Sequence, residues 1–312
     1  MAEQPILVTG ATGTIGGVGR AVVQRLLARD LPVRAAVHRD DDRAAALRAI
    51  GAEVVVADLT RAPDIMRALA GCRRMYFGLG VASYYLEATA TTAAVARAQG
   101  DLEVLVNMSQ MTVSQMSLTS RTESEQQRLH WLSEQVLDWS GLPVVHVRPT
   151  IFQQSIALFA AESIARDGTI RVPFGQGRTS PVNTDDVADV IVAVLTNPRG
   201  HIGHVYELTG PRSQTMDELA AEFAAALGRP IRYVDAPYEQ WYDEMRRRGL
   251  PDHVFEHLAT MTRLHAANRY DRLTGDIEQI TGHPATPVRE YVAQHAGLFG
   301  GGRAPADQPA MY

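Results

Sequence analysis

Several features that mark particular protein classes are absent from this sequence or nearly so. The chain has one cysteine, Cys72, in 312 residues, which excludes an intramolecular disulfide and suits a reducing compartment. Its formal net charge of −5 and its pI near 6.1 leave no broad basic field for nucleic-acid phosphates. It contains no run of about 18 apolar residues, the length that spans a membrane. We therefore expect no binding to nucleic acid or to membranes.

The composition is that of an ordinary globular protein. Apolar residues make up 46% of the chain and charged residues 21%, and the length suits one large core plus a smaller second lobe. The first residues, MAEQPILV, enter a strand pattern without the basic stretch and long apolar segment of a secretion signal. These observations predict a cytoplasmic location.

A glycine-rich turn stands between a strand pattern and a helix pattern near the start of the chain. Ile6 to Val8 is a strand-type run, and apolar residues recur at helical spacing over 22–27. Glycine has no Cβ, so a pyrophosphate can approach the free N–H groups at the helix start, where the helix dipole favours negative charge. The sequence therefore predicts that a dinucleotide binds here, and the predicted contacts are Gly10, Thr12, Gly13, Thr14, Ile15 and Gly16.

The glycine spacing leaves one question open. Gly13, Gly16 and Gly19 follow the same three-residue rhythm. One glycine of such a motif lies under the pyrophosphate and another lets the helix pack closely on the sheet. The spacing does not say which glycine does which.

Strand and helix patterns alternate through the first half of the chain. Apolar strand-type runs follow at 32–37, 53–57, 75–79, 102–108 and 144–147, and helical patterns separate them at 41–50, 65–69, 86–98 and 123–139. Such alternation builds a parallel sheet covered by helices on both faces, with ligands bound beyond the carboxyl ends of the strands. The predicted fold is α/β, a Rossmann-type doubly wound parallel sheet with a smaller, mainly helical C-terminal lobe. We expect a nucleotide-binding domain at 1–150, to which 181–210 returns, a substrate lobe at 151–298 and a flexible tail at 299–312.

Four motifs are spread over the chain. They are Val8-Thr-Gly-Ala-Thr-Gly-Thr-Ile-Gly16, Asp58-Leu59, Leu142-Pro143 with Arg148-Pro149-Thr150, and Asp185-Asp186-Val187-Ala188-Asp189-Val190. Together they resemble the NmrA-like branch of the atypical short-chain dehydrogenase/reductases over roughly residues 5 to 298. The resemblance implies an NAD(P)-binding oxidoreductase, and the triphenylmethane reductases and quinone oxidoreductases of this branch are similar in pattern.

The chain departs from that family pattern in two places. Relatives run from the glycine turn straight into the helix, whereas Gly17-Val18-Gly19 is inserted or shifted here. Ordinary members carry Tyr-x-x-x-Lys on the helix after the fifth strand, with the tyrosine as general acid. When Glu134 is aligned with the family's acidic residue on that helix, Gln126 and His130 take the two positions. The resemblance therefore implies that tyrosine and lysine do not perform the catalysis.

The end of the second strand distinguishes NAD from NADP in the family. A carboxylate there accepts the ribose 2′-hydroxyl and repels a 2′-phosphate. This chain has His38-Arg39, and an arginine bound to a phosphate contributes about 1.5–3 kcal/mol. The predicted cofactor is therefore NADP rather than NAD, with His38 and Arg39 as contacts. The alternative is that Arg39 opens a turn and Asp40 binds the hydroxyl.

Three further cofactor contacts are predicted from their positions. Asp58 and Leu59 stand where the family contacts adenine, and Gly78, within the fourth strand pattern, is a further predicted contact. An ordinary turn aspartate is the alternative for Asp58.

The candidate catalytic residues are Ser109, His130 and Tyr84. Ser109 follows the fifth strand, near the expected nicotinamide, and its alternative is a hydroxyl satisfied by the backbone. His130 holds the position of the family's lysine and is also a candidate cofactor contact. Tyr84 or its neighbour Tyr85 is expected to overhang the pocket or stack on an aromatic substrate, and packing in the core or at the rim is the alternative.

The helix that carries His130 is predicted to have one apolar and one polar face. The expected core face is Leu129, Leu132, Val136 and Trp139. Gln126, His130 and Glu134 form a polar stripe beside it. The stripe either faces the cofactor or leaves His130 exposed to solvent.

His253-Val-Phe-Glu-His257 matches a zinc-protease pattern, with two histidines expected on one helix face. No third ligand is assigned, and the fold is already accounted for. We therefore predict no metal.

The leading hypothesis is an NADPH-dependent reductase that transfers hydride to a conjugated acceptor such as a quinone, dye or polyketide-type enone. The expected substrate is a planar or aromatic small molecule, and the expected state is a monomer or a homodimer. The competing hypothesis is a non-catalytic NAD(P)-sensing regulator, because the family includes one and the Tyr/Lys pair is missing.

Overall fold

Two compact units make up the part of the chain that the computed structural model describes, residues 4–13 and 17–300. The first unit contains the described residues up to Met116, together with Gln126–Arg148 and Val187–Glu207. The second contains Ser117–Glu125, Pro149–Asp186 and the described residues from Leu208 onward. Within these ranges, every helix is too short or too polar to cross a membrane.

Strands and helices alternate along most of the chain. The strands are β1 (Ile6–Val8), β2 (Val33–Val37), β3 (Glu53–Val56), β4 (Arg74–Phe77), β5 (Val104–Met108), β6 (Val144–Pro149), β7 (Thr169–Val172), β8 (Val205–Leu208) and β9 (Arg232–Asp235). The helices are α1 (Val18–Leu27), α2 (Asp42–Ala49), α3 (Ala62–Leu69), α4 (Tyr85–Gln99), α5 (Glu125–Trp139), α6 (Gln153–Asp167), α7 (Thr184–Thr196), α8 (Met216–Leu227), α9 (Tyr238–Arg246), α10 (Asp252–Ala266), α11 (Asp276–Thr281) and α12 (Val288–Gln294).

A seven-stranded sheet runs in the order β3-β2-β1-β4-β5-β6-β8. The pairs from β3 through β6 are parallel, and Val8 of β1 lies opposite Ala35 of β2 on one side and Tyr76 of β4 on the other. The strand order reverses direction between β1 and β4, which is the switch point where sheets of this kind bind ligands. The predicted α/β, doubly wound fold is confirmed.

The central strands are buried on both faces, as a parallel sheet between helices requires. Val104, Leu105 and Val106 of β5 have no exposed surface. The core formed by the sheet and its helices includes Phe77 and Tyr85. The carboxyl ends of β1, β4 and β5 are therefore held in place by a tightly packed core.

Local signals set several helix ends. Asp41 caps α2 by accepting hydrogen bonds from the backbone N–H groups of Arg43 and Ala44, at 3.1 and 3.2 Å. Thr215 and Glu218 form a capping box at the start of α8.

The second unit has its own core and its own small sheet. β7 pairs with β9 in parallel, and α6, α8 and α12 contribute residues to the core beside them. Neither α6 nor β9 was predicted from the sequence. Phe299, at the start of the expected tail, is 1% exposed and packs in this core. Residues 301–312 of the expected tail lie outside the described residues.

Candidate active site

The turn after β1 is joined directly to the end of β4. The Thr9 hydroxyl donates to the Gly78 carbonyl oxygen at 2.8 Å, and the Gly78 N–H donates to the Thr9 oxygen at 2.9 Å. Gly10 has a φ of +69°, and a Cβ there would lie 2.6 Å from the same carbonyl oxygen. Only glycine fits this position, because both the backbone angle and the space exclude a side chain.

Gly19 packs the first turn of α1 against this loop. A Cβ on Gly19 would lie 2.7 Å from the Gly10 carbonyl oxygen. The Gly13 N–H donates to the same carbonyl at 3.1 Å. Gly19 is therefore the glycine that allows close packing of the helix, a role that the sequence left open. Gly19 was not among the predicted contacts, although its place in the first turn of the helix pattern could have indicated this packing role.

Three of the predicted phosphate contacts fall outside the described residues. They are Thr14, Ile15 and Gly16. Gly10, Thr12 and Gly13 lie at the carboxyl end of β1, where their position was expected. Gly17, in the left-handed conformation at φ +66°, precedes α1 without a side-chain cap.

Arg43 connects the loop after β2 to the glycine turn. Its guanidinium donates to the Thr12 carbonyl at 3.1 Å through Nη1 and to the Asp41 carboxylate at 2.6 Å through Nη2. The hydrogen bond from Arg43 holds the pKa of Asp41 below its ordinary value. Arg43 was not among the residues predicted from the sequence, because its contact with Thr12 joins residues far apart in the chain.

His38 and Arg39 are both exposed at the carboxyl end of β2. No side chain or carbonyl among the described residues pairs with the Arg39 guanidinium. The neighbouring Asp40 carboxylate is bound by Arg48 at 2.7 Å, and this hydrogen bond lowers its pKa. The strand end therefore offers an unpaired guanidinium beside a carboxylate that already has a partner.

Asp58 forms a turn at the end of β3. Its Oδ1 accepts hydrogen bonds from the Thr60 N–H at 2.9 Å and the Thr60 hydroxyl at 2.7 Å, and these bonds lower its pKa. The next residue, Leu59, is half-buried and packs against the core of the first unit. The geometry shows the turn, which was the alternative reading of Asp58.

Helix α5 buries its polar stripe more deeply than the apolar face predicted as its core face. Its buried residues are Gln126, Gln127, His130, Ser133, Glu134 and Leu137. Trp139 of the expected core face is 76% exposed, so the prediction was wrong for this residue. Leu129 and Val136 of the same face are half-buried and pack against the core of the first unit. The polar stripe is the buried face because its members have polar partners in the first unit, as the ion pair between Glu134 and Arg148 shows.

His130 is 8% exposed, so the solvent-facing alternative was also wrong. Its ring centroid lies 4.1 Å from that of Tyr85. The Tyr85 hydroxyl donates to the Met108 carbonyl at 2.9 Å, and burial raises its pKa well above the ordinary value. Of the two adjacent tyrosines, Tyr85 packs beside His130, whereas Tyr84 is exposed at the start of α4.

Ser109 follows β5 at the same edge of the sheet. Its N–H donates to the Val147 carbonyl at 2.8 Å, and the residue is 4% exposed. Within the described residues its Oγ has no hydrogen-bond partner. The alternative in which the backbone satisfies this hydroxyl is therefore not what the structure has.

A family model settles the relationship of this chain to known proteins. The model described as the NmrA-like family matches residues 2–293. The chain belongs to the NmrA-like family. The resemblance read from the four sequence motifs is thus confirmed.

Three known proteins are similar to this chain over nearly its whole length. The NAD(P)H azoreductase of Xenophilus azovorans is 31% identical over 95% of this chain and 99% of its own length. The (4-alkanoyl-5-oxo-2,5-dihydrofuran-3-yl)methyl phosphate reductase of Streptomyces griseus subsp. griseus is 31% identical over 94% of this chain and 99% of its length. The structure of the NADPH-dependent quinone oxidoreductase QOR2 from Escherichia coli, complexed with NADPH, superposes with a TM-score of 0.79. It is 24% identical and covers 93% of this chain and 99% of its own, so it supports the fold.

The two histidines of the zinc-protease pattern lie in different environments. On α10, His253 is exposed and His257 is buried, with its Nδ1 2.8 Å from the Ser124 Oγ. Burial lowers the pKa of His257 to about 4. Within residues 4–13 and 17–300, no three metal-ligating side chains are grouped.

Proposed function

We propose that the protein is an NADPH-dependent reductase that transfers hydride to a conjugated, planar acceptor such as a quinone, a dye or a polyketide-type enone. The observation that carries the proposal is the glycine turn at the switch point, where the backbone packs so closely at Gly10 and Gly19 that neither position has room for a side chain. The activities named for the azoreductase and for the dihydrofuranone phosphate reductase support it.

The described residues fit an NADP nucleotide. The turn at Gly10 to Gly13 would hold the pyrophosphate, and the unpaired guanidinium of Arg39 would bind the 2′-phosphate. His38 is proposed beside that phosphate, and Asp58, Leu59 and Gly78 beside the rest of the nucleotide. When bound, the nicotinamide supplies the hydride.

The chain's own residues would position the acceptor and supply polar contacts. Ser109 offers a buried hydroxyl at the carboxyl end of β5, and His130 is held against Tyr85. Negative charge that enters a conjugated acceptor spreads over many atoms. The acceptor therefore has little need of a proton donated by the protein during hydride transfer. Water or His130 would supply that proton, and Tyr84 would contact the acceptor from the start of α4.

The remaining assignments follow from the same proposal. Residues 1–150 with 181–210 are proposed to bind the nucleotide, and 151–298 to recognise the acceptor. We propose a cytoplasmic monomer or homodimer that binds neither nucleic acid nor membranes.

The second candidate is a non-catalytic sensor of NAD(P). The observation that favours it is the presence of Gln126 and His130 where the family carries its tyrosine and lysine. Oxidation of NADPH followed against a panel of quinones, azo dyes and enones decides between the two, with Gly13→Asp as the control. Turnover above that of the control supports the reductase. Tight NADPH binding with no turnover on any acceptor supports the sensor.

A further inference from the structure

Gln126, on the buried face of α5, carries an amide that the functions discussed above do not use. We propose that Gln126 Nε2 donates a hydrogen bond to the acceptor atom on which negative charge develops during hydride transfer. This inference rests on the reductase function proposed above. It places a hydrogen-bond donor that keeps its proton at the position where ordinary family members carry their general acid.

One end of the Gln126 amide is held by the backbone. Its Oε1 accepts a hydrogen bond from the Ala82 N–H at 3.0 Å, and the residue is 4% exposed. Because a backbone N–H can only donate, it requires the oxygen of the amide, and the opposite flip would bring two donors together. The orientation of the amide is therefore determined by chemistry.

The nitrogen of the same amide lacks a partner in the part of the chain that the structure describes. This nitrogen, Nε2, is buried. Buried donors are almost always paired, and an unpaired one is costly, so an exception calls for an explanation. A ligand with a hydrogen-bond acceptor would satisfy this group.

The position of Gln126 points to the reacting end of the cofactor. Ala82 lies just beyond β4, and the adjacent Gln127 donates to the Thr112 hydroxyl, just beyond β5, at 2.9 Å. Gln126 is thus held between the segments that leave the carboxyl ends of two central strands. Ser109, three residues before Thr112, adds a second buried and unpartnered polar atom to this region.

An amide suits an acceptor that takes hydride without a protein acid. The acceptor gains two electrons and one proton as hydride, the nicotinamide is oxidised by the same amount, and the second proton comes from water. An amide N–H stabilises the developing negative charge but does not give up its proton at neutral pH. A donor aimed at developing charge acts on the transition state more than on the ground state.

The test compares Gln126→Met with Gln135→Met, a matched substitution on the same helix outside the proposed site. NADPH oxidation is followed with menadione and with a series of substituted benzoquinones of graded reduction potential. For Gln126→Met we expect kcat to fall by about ten- to a hundredfold, with NADPH affinity by calorimetry unchanged. The rate should also depend more steeply on the potential of the quinone, because the protein no longer stabilises the charge.

Gln126→Glu supplies a readout that a structural role would not move. Its carboxyl can still accept from Ala82, and it donates to the acceptor only when protonated. We expect the ratio of its kcat to that of the unsubstituted protein to rise as the pH falls. This variant decides the question if Gln126→Met does not fold.

Three results would overturn the inference. The first is a kcat for Gln126→Met within twofold of the parent protein and an unchanged dependence on quinone potential; the reductase function would then stand. The second is a loss of NADPH affinity in place of kcat, which would assign the amide to the cofactor. The third is an absence of turnover in the unsubstituted protein despite NADPH binding, which would remove the reductase function as well.

Discussion

Glu134 of α5 and Arg148 of β6 are joined by two parallel hydrogen bonds. Arg148 Nε donates to Oε1 at 2.9 Å and Nη2 donates to Oε2 at 2.5 Å. The Glu134 side chain is 2% exposed, and the pairing with Glu134 raises the pKa of Arg148 against the opposing effect of its burial. This doubly hydrogen-bonded pair holds helix α5, which carries Gln126 and His130, against the sheet.

Removal of one partner of this pair should destabilise the protein. Glu134→Ala leaves the arginine half-buried without its carboxylate, and we expect the free energy of unfolding to fall by about 3–5 kcal/mol. Urea unfolding measures the loss. Glu162→Ala, which removes an exposed partner of Arg166, is the control and should change stability by less than about 1 kcal/mol. Equal losses in the two variants would contradict the prediction.

Gly19 should be essential to the geometry of the nucleotide turn. In Gly19→Ala the new Cβ meets the Gly10 carbonyl oxygen, at the 2.7 Å given by the present backbone, so the turn or the helix must shift. We expect NADPH affinity to fall by about tenfold or more, the equivalent of at least 1.4 kcal/mol. Gly275→Ala, where a Cβ meets nothing within 4 Å, is the matched control. Calorimetry on both variants checks this, and equal affinities would show that the contact is unimportant.

Arg39 should set the preference for the phosphorylated cofactor. In Arg39→Gln we expect NADPH affinity to fall by roughly ten- to a hundredfold and NADH affinity to change little, because only NADPH carries the 2′-phosphate. Arg232→Gln, at an exposed position on β9, controls for the loss of one charge. Titration of both nucleotides provides the measurement. If the unsubstituted protein binds NADH more tightly than NADPH, the role given to Arg39 is wrong.

Two buried histidines should make the protein less stable in mild acid. Burial lowers the pKa of His257 to about 4 and that of His265 to about 3, against an ordinary value near 6.5. The unfolded chain therefore binds more protons than the folded chain, and stability is lost as the pH falls from about 6.5 toward 4. Each histidine contributes a slope of about 1.4 kcal/mol per pH unit in this window.

A substitution isolates the contribution of His265. This ring stacks between Phe174, with centroids 4.2 Å apart, and Tyr270, at 3.7 Å, so His265→Phe retains an aromatic ring in the stack. We expect the slope of unfolding free energy against pH between 6 and 4 to be smaller by about 1.4 kcal/mol per pH unit. Urea unfolding at pH 6, 5 and 4 gives the slope, whatever the variant's absolute stability. An unchanged slope would mean that His265 takes up its proton over the same pH range in the folded and the unfolded protein.

The faces of α5 show where prediction from the sequence reached its limit. Apolar spacing pointed to Trp139 as core, yet Glu134 and His130 are buried in its place. A hydrophobic pattern assumes that polar groups prefer water, and this fails where the neighbouring elements supply partners such as Arg148 or the Tyr85 ring. Those partners lie on other strands and helices, so no local window contains them.

The alternation of apolar periods and the glycine turn were sufficient to derive the doubly wound sheet, because β-strand and helix periodicity are properties of short stretches. The capping box at Thr215 and the family motifs were equally local. Packing settled the rest: Gly19 as the close-contact glycine, the unpaired Arg39 beside a paired Asp40, and the orphaned amide of Gln126. Each of these depends on atoms brought together across the fold, where the available space and the balance of donors and acceptors are set by distant residues.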